Sequence, residues 1–363
     1  MMEKTRFVGL DGLRGVCALT VMLAHCEMMF RPGMIFCHGY LAVDMFFILS
    51  GFVITASYDR RLAGDLSVYQ FLATRVRRLA PVYWAGLVLG VVAALLIENY
   101  HPYLSTGFSA GRIAVWGAMA ALLMPHVGPD GFAYPVDPVA WTLAWEMIVN
   151  IGYALWFRKL SSRLLIACTI LLWLMATANS YANPRAWSFG MTSEDIWLGG
   201  LRALPGFLMG IILYRGYRAG LMERLPAVTP LLPIASWLVI AVMPQGLPPL
   251  FDLATVVLVC PLLLALLVRG GADAPRWFVS LGALSYPLYA SHLAWVYIAR
   301  RTPLFGLEDH PDPLRAGVVV LLAVGSAWLL YRRVDPAGKR RPGDATRNIP
   351  VLAQPGPMGI TPG

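Results

Sequence analysis

Six ionisable side chains stand inside long apolar stretches of this chain: Arg14, His25, Asp44, Glu146, Arg202 and His292. Each costs about 2.5–3.5 kcal/mol at the centre of a membrane helix, so such residues mark functional sites unless they only tie helices together. The residue types suggest chemistry. An imidazole with a pKa near working pH is a general base for a hydroxyl, and a carboxylate beside it can orient the ring and stabilise its protonated form. Arg14 and His25 are eleven residues apart, three helical turns plus about 20°, so on a helix they share a face about 16 Å apart. In "FLATRVRRLAPVYW", Arg75 and Arg78 fall one turn apart. Such a pair fits phosphate oxygens, and equally fits ordinary basic loop charge.

The elements that must carry these residues follow from composition. Of 363 residues 58% are apolar and 13% charged, with a mean hydropathy of +0.63. A soluble domain has about 45–50% apolar and about 25% charged residues. The composition excludes a soluble enzyme, a disordered chain and a disulfide scaffold, and the long unbroken apolar runs exclude a β-barrel. The expected fold is all-α, a polytopic membrane helical bundle. Spanning stretches run over 12–30, 36–57, 79–97, 139–157, 164–180, 197–214, 227–243, 250–268, 279–299 and 314–331, with a shorter one at 113–126.

Loop charge decides the short stretch. If 113–126 does not cross and the N-terminus is cytoplasmic, 21 of the 29 basic residues lie inside and 6 outside; if it crosses, the split is 11 and 16. The positive-inside rule selects the first arrangement. Ten transmembrane helices are expected, with one short interfacial or re-entrant helix and both termini cytoplasmic. The net charge of +9 then reflects loop charge rather than nucleic-acid binding. Residues 1–334 form the membrane domain, with the first span retained rather than cleaved as a signal. Residues 335–363, rich in Pro, Gly and charge, are expected to be a disordered cytoplasmic tail.

On this topology His25, Asp44, Glu146, Arg202 and His292 come from five helices yet share a depth, roughly 7–12 Å below the outer surface. One polar pocket is therefore expected there, with an anion site at the cytoplasmic mouth. The five cysteines, Cys17, Cys26, Cys37, Cys168 and Cys260, have no metal spacing and read as packing residues. His38, His101, His126 and His310 fall in expected outer loops and read as solvated; no metal site is expected.

At these same residues the chain resembles the acyltransferase-3 family of membrane-bound O-acyltransferases. "LDGLRGVCALTVMLAHC" is similar to the family's opening helix with its Arg-x10-His pair at Arg14 and His25. "GYLAVDMFFILSGFVIT" resembles its Gly-x-Asp-x-Phe-Phe-x-x-Ser-Gly-Phe block, with Ala-Val-Asp replacing the usual Gly-Val-Asp. "RVRR" at 75–78 matches the loop Arg-x-x-Arg, and "WTLAWE" matches Trp-Ser-Leu-x-x-Glu with Thr142 for Ser. "LGALSYPLYASH" resembles the late Ser-Tyr-x-x-Tyr-x-x-His block. The five occur in the family's order over residues 10–292, and the chain reads as the free-standing form, without a fused esterase-like domain.

The resemblance implies transfer of an acyl group, most often acetyl, from cytoplasmic acyl-CoA to a hydroxyl of an extracytoplasmic glycan such as an exopolysaccharide or lipopolysaccharide sugar. It implies a bacterial inner-membrane enzyme, working alone or with a polysaccharide synthesis complex. His25 would be the base or transient acyl carrier, with Asp44 or Glu146 orienting it, and Arg14, Arg75 and Arg78 would bind acyl-CoA. Trp141, Arg202, Tyr286 and His292 would meet the acceptor. Two other readings use the same buried charges: a transporter or flippase of a glycan or lipid intermediate, and a scaffold whose charges only hold helices together. No inverted repeat between the halves supports the transporter. The scaffold predicts that losing His25 changes assembly but no chemical modification.

Overall fold

The computed structural model describes residues 6–27, 35–100, 109–128, 131–182, 187–301 and 313–334. The expected tail at 335–363, His101 and His310 lie outside the described residues. Twelve α-helices form among the described residues: α1 (Val8–Glu27), α2 (Ala42–Ala63), α3 (Val68–Tyr100), α4 (Ala110–Ala121), α5 (Ala140–Leu155), α6 (Ser162–Ala182), α7 (Gly200–Arg218), α8 (Leu231–Ala241), α9 (Pro249–Ala254), α10 (Cys260–Arg269), α11 (Trp277–Arg301) and α12 (Pro313–Arg333). A π-helical turn, Thr255–Val259, makes α9 and α10 one continuous rod. Among the described residues there is no strand, only one antiparallel bridge between Phe132 and Thr192.

Every apolar stretch read from the sequence has a helix, with α9 and α10 sharing one. Seven rods among the described residues are long and apolar enough to cross a membrane: α1, α2 with its preceding turn, α3, α6, α7, α9–α10 and α12. Three of the ten expected spans are not among these seven. The stretch at 279–299 yields α11, whose 25 residues are long enough but not apolar enough to count. The stretch at 227–243 yields only the 11 residues of α8, because Pro226, Pro230 and Pro244 interrupt it on either side and proline lacks the backbone N–H a helix needs. The stretch at 139–157 yields the 16 residues of α5, and the chain ahead of it enters the bundle without helical structure.

Bare backbone brings the central helices together. A Cβ at Gly12 or Gly15 of α1 would run into Phe278 or Leu281 of α11, so the two helices meet without side chains between them. The same holds where Gly51 of α2 faces the Phe207 carbonyl of α7. Small residues serve this purpose in membrane bundles, where dispersion replaces the hydrophobic effect between helices. The pairing Gly12–Phe278, Gly15–Leu281 makes α1 and α11 parallel neighbours. His25 and His292 are thereby carried to one level.

The short helix α4 does not cross the bundle. Its 12 residues extend about 18 Å, against a hydrocarbon core of about 30 Å. Its first residue, Ala110, donates to the Glu98 carboxylate near the C-terminal end of α3. Its last turn returns to mid-α3, where Tyr83 and Trp84 donate to the carbonyls of Ala120 and Ala121. The helix therefore folds back along α3, and the chain leaves it at depth through Leu123 in the left-handed region (φ 57°).

Candidate active site

A cavity of about 340 Å³ opens among α1, α2, α3, α5 and α11. Arginines gather at one end of it: Arg6 and Arg14 at the start of α1, and Arg75 and Arg78 in the first turns of α3. Arg75 and Arg78 were expected in a loop, yet α3 already runs helically from Val68. The sequence reading missed Arg6 and Asp11, which form an ion pair at 2.8 Å beside Arg14 at this mouth. Halfway along, Ser50, Glu146 and Tyr286 face the space, and Tyr83, Asp137, Thr142 and Tyr289 surround its far end. The hydroxyls of Thr142 and Tyr289 lie 3.0 Å apart and close it.

The five polar residues expected in one pocket form three separate groups. The first is His25 with His292: Nδ1 of His25 is 2.9 Å from Nε2 of His292. Nδ1 of His292 lies 3.1 Å from the Leu288 carbonyl and 3.0 Å from the Tyr289 carbonyl. Carbonyl oxygens only accept, so in a neutral ring that Nδ1 carries the proton and Nε2 is the acceptor. His25 then donates from its own Nδ1 and its ring also bonds the Val21 carbonyl of α1, so in the neutral ring the lone pair falls on Nε2. The pair stands just behind the cavity's closed end, where the Tyr289 ring is 5.9 Å from that of His292.

The second group is Asp44 with Arg202. The guanidinium meets both carboxylate oxygens, at 2.6 and 3.2 Å, and donates to the Tyr40 carbonyl at 2.9 Å. Trp187 donates to the same carboxylate at 3.4 Å, and Arg202 also stands over the Trp141 ring at 5.5 Å. Asp44, Trp141 and Arg202 are all buried and none lines the cavity. Their contacts tie α2, α5 and α7 together.

Glu146 anchors the third group. It accepts from Ser50 at 2.6 Å, Arg75 at 3.1 Å and Asn150 at 3.2 Å. The ion pairs of Asp44 and Glu146 are thus with arginines, and a second imidazole occupies the place expected for the carboxylate beside His25. The reason is geometric: depth along a helix says nothing of direction around it, and residues at one level can face different neighbours. Tyr286, expected at the acceptor, lines the cavity and donates to the Leu79 carbonyl of α3.

One further expectation changes. His38 is buried rather than solvated, with Nδ1 3.0 Å from the Tyr40 hydroxyl, which itself donates to Asp252 at 2.7 Å. Asp137 carried no expectation from the sequence. In the structure residues 133–142 are buried without interruption. Backbone bonds such as Ala133 N–H to the Met191 carbonyl satisfy part of that segment, as non-helical chain inside a bundle requires. Among the described residues no group of three or more His, Cys, Asp or Glu is arranged to hold a metal ion.

The chain matches the family described as "Acyltransferase domain", the acyltransferase-3 family, over residues 7–332. The chain belongs to the acyltransferase-3 family. This acyltransferase-3 chain is similar to several known proteins. Protein 2 in the picA locus of Rhizobium radiobacter is 34% identical over 187 residues, 48% of this chain and 95% of that protein. The exopolysaccharide production protein ExoZ of Rhizobium meliloti (strain 1021) is 29% identical over 199 residues, 51% of this chain and 58% of that one. The acyltransferase MdmB of Streptomyces mycarofaciens is 27% identical over 396 aligned residues, 97% of this chain and 96% of its own. No solved structure matches the chain. This acyltransferase-3 chain is an enzyme of acyl transfer, and its apolar helices make it a multi-pass membrane protein.

Proposed function

We propose that the protein is a bacterial inner-membrane O-acyltransferase. It takes an acyl group, acetyl in the simplest case, from cytoplasmic acyl-CoA and esterifies a hydroxyl of an extracytoplasmic glycan. In this reading ten spans place both termini in the cytoplasm, and α4 is the re-entrant segment. The observation that carries it is the cavity, arginine-lined at one end and backed by the His25–His292 pair at the other. Arg14, Arg75 and Arg78 hold the donor's phosphates; Arg75 has a buried Nε without a partner. The thioester then lies toward Tyr289. The exopolysaccharide-related name of one relative supports a surface glycan as acceptor.

His25 does the proton work. Its Nε2 lone pair takes the proton as the acceptor oxygen attacks the thioester carbonyl carbon. The C–S bond breaks with its electron pair on sulfur, and the imidazolium returns the proton to the thiolate. His292 holds the tautomer that leaves Nε2 free, the part an acid plays in a triad. The same lone pair suits His25 as a transient acyl carrier. The test is the alkali-labile acyl content of the surface glycan, measured by proton NMR in cells making wild type or His25→Ala at equal membrane levels. Ester that appears with wild type alone supports the enzyme. Equal ester with altered glycan export turns the reading to a transporter or scaffold.

A further inference from the structure

Of the four carboxyl groups at or beside this site, three are committed to arginine: Asp11 to Arg6, Asp44 to Arg202 and Glu146 to Arg75. The fourth is Asp137, and its surroundings differ. It is 5% exposed, lines the closed end of the cavity, and its Oδ2 has no hydrogen-bond partner. Its carboxyl bonds the backbone N–H of Val139 two residues on. A polar atom left unpaired in a buried site carries a desolvation cost that is recovered when a ligand completes the bond.

The position is also the right one. Val139 packs with Met22 and Cys26 of α1 and Leu288 of α11, the turns that carry His25 and His292. Asp137 therefore stands on the cavity side of the same level as the histidine pair. The four arginines that line the cavity lie toward its other end. The groups that interact with Asp137 are Tyr83 from α3 and Tyr289 from α11, the latter hydrogen-bonded to Thr142 of α5. Without a cation nearby, burial pushes its carboxyl up to about 7, so it holds a proton through the lower part of the neutral range.

We propose that Asp137 acts as a neutral carboxylic acid whose Oδ2–H donates to the carbonyl oxygen of the acyl thioester lodged at the closed end of the cavity. The inference rests on the acyl-transfer reading above. Attack on a thioester moves charge onto that oxygen, and a donor already in place in a dry site stabilises it without reorganisation. No bond to Asp137 forms or breaks and its proton stays on the carboxyl, so the proton accounting of the transfer through His25 is unchanged. A carboxylate could not serve, because it only accepts.

The test uses the full chain in detergent, radiolabelled acetyl-CoA, and alkali-stripped exopolysaccharide from the host as acceptor. Asp137→Ala is expected to lower kcat about 10²–10³-fold, the loss typical of one oxyanion donor, with acetyl-CoA affinity unchanged. Asp137→Asn keeps an acceptor for the Val139 N–H and supplies an amide N–H toward the ligand, so it folds and retains part of the rate. Wild-type kcat is expected to fall as pH rises through about 7, and Asp137→Asn to lack that fall. A kcat for Asp137→Ala equal to wild type overturns the proposal. So does an unchanged alkaline limb in Asp137→Asn, or a loss confined to acetyl-CoA affinity. A wild-type protein that neither binds acetyl-CoA nor forms ester defeats the acyl-transfer reading instead.

Discussion

His25 and His292 come from helices at opposite ends of the chain, and their rings meet through a single hydrogen bond of 2.9 Å from Nδ1 to Nε2. Two backbone carbonyls of α11 fix the proton of His292 on its other nitrogen. The direction of every proton in the pair follows. His25→Ala removes the base and is expected to abolish acyl transfer, a loss of about 10²–10⁴-fold or more. His292→Phe keeps the ring's bulk and removes the acceptor, so kcat falls while donor affinity holds. Turnover by purified variants, with acetyl-CoA binding measured alongside, checks both.

Arg202 and Asp44 form the most deeply buried ion pair among the described residues, with side chains 1% and 2% exposed. Removing one partner strands the other charge, which costs about 3–5 kcal/mol. Arg202→Ala is expected to lose folded protein, seen as aggregation in fluorescence-detected size exclusion. Replacing both, as Arg202→Met with Asp44→Leu, restores much of the folded yield if the pair serves packing alone. If the double variant is monodisperse yet inactive, the pair serves the reaction as well.

Arg75 and Arg78 separate by what they touch. Arg75 neutralises Glu146 inside the cavity wall, whereas Arg78 is exposed at the cavity's mouth. Arg78→Ala is expected to weaken acetyl-CoA binding about tenfold, as loss of one charge-assisted phosphate contact does, with thermal stability intact. Arg75→Ala is expected to lower both. Titration calorimetry and thermal unfolding on the two variants distinguish these roles.

Asp137 also links stability to pH. Its carboxyl is raised from 3.8 to about 7 in the folded protein, so folding favours the protonated form. The associated stability is complete below the unfolded value and is lost as pH rises through about 7, an effect on the order of a few kcal/mol. Wild type is expected to melt at lower temperature at pH 7.5 than at pH 5, and Asp137→Asn to flatten that part of the curve. A parallel slope in both proteins would assign the pH dependence to other groups.

Much of the architecture was legible in the chain because hydropathy and length are one-dimensional properties. An apolar run must become a helix in lipid, where every backbone N–H and C=O needs an internal partner. The helix positions and the short α4 follow from that constraint. Where Pro226, Pro230 and Pro244 crowd a run, the same rule shortens it to α8.

What the tertiary structure alone decided is which polar groups meet. Depth could be counted along each helix, but rotation about its axis and the choice of neighbour depend on packing between distant segments. The glycines of α1 set α11 against it and bring His292, rather than Asp44 or Glu146, to His25. The contacts of α2 with α7 and of α3 with α5 give those two carboxylates to arginines. Asp137 stayed hidden for the same reason. Between two prolines it has the local pattern of an exposed turn, and only the burial of residues 133–142 within the bundle turns it inward to the cavity.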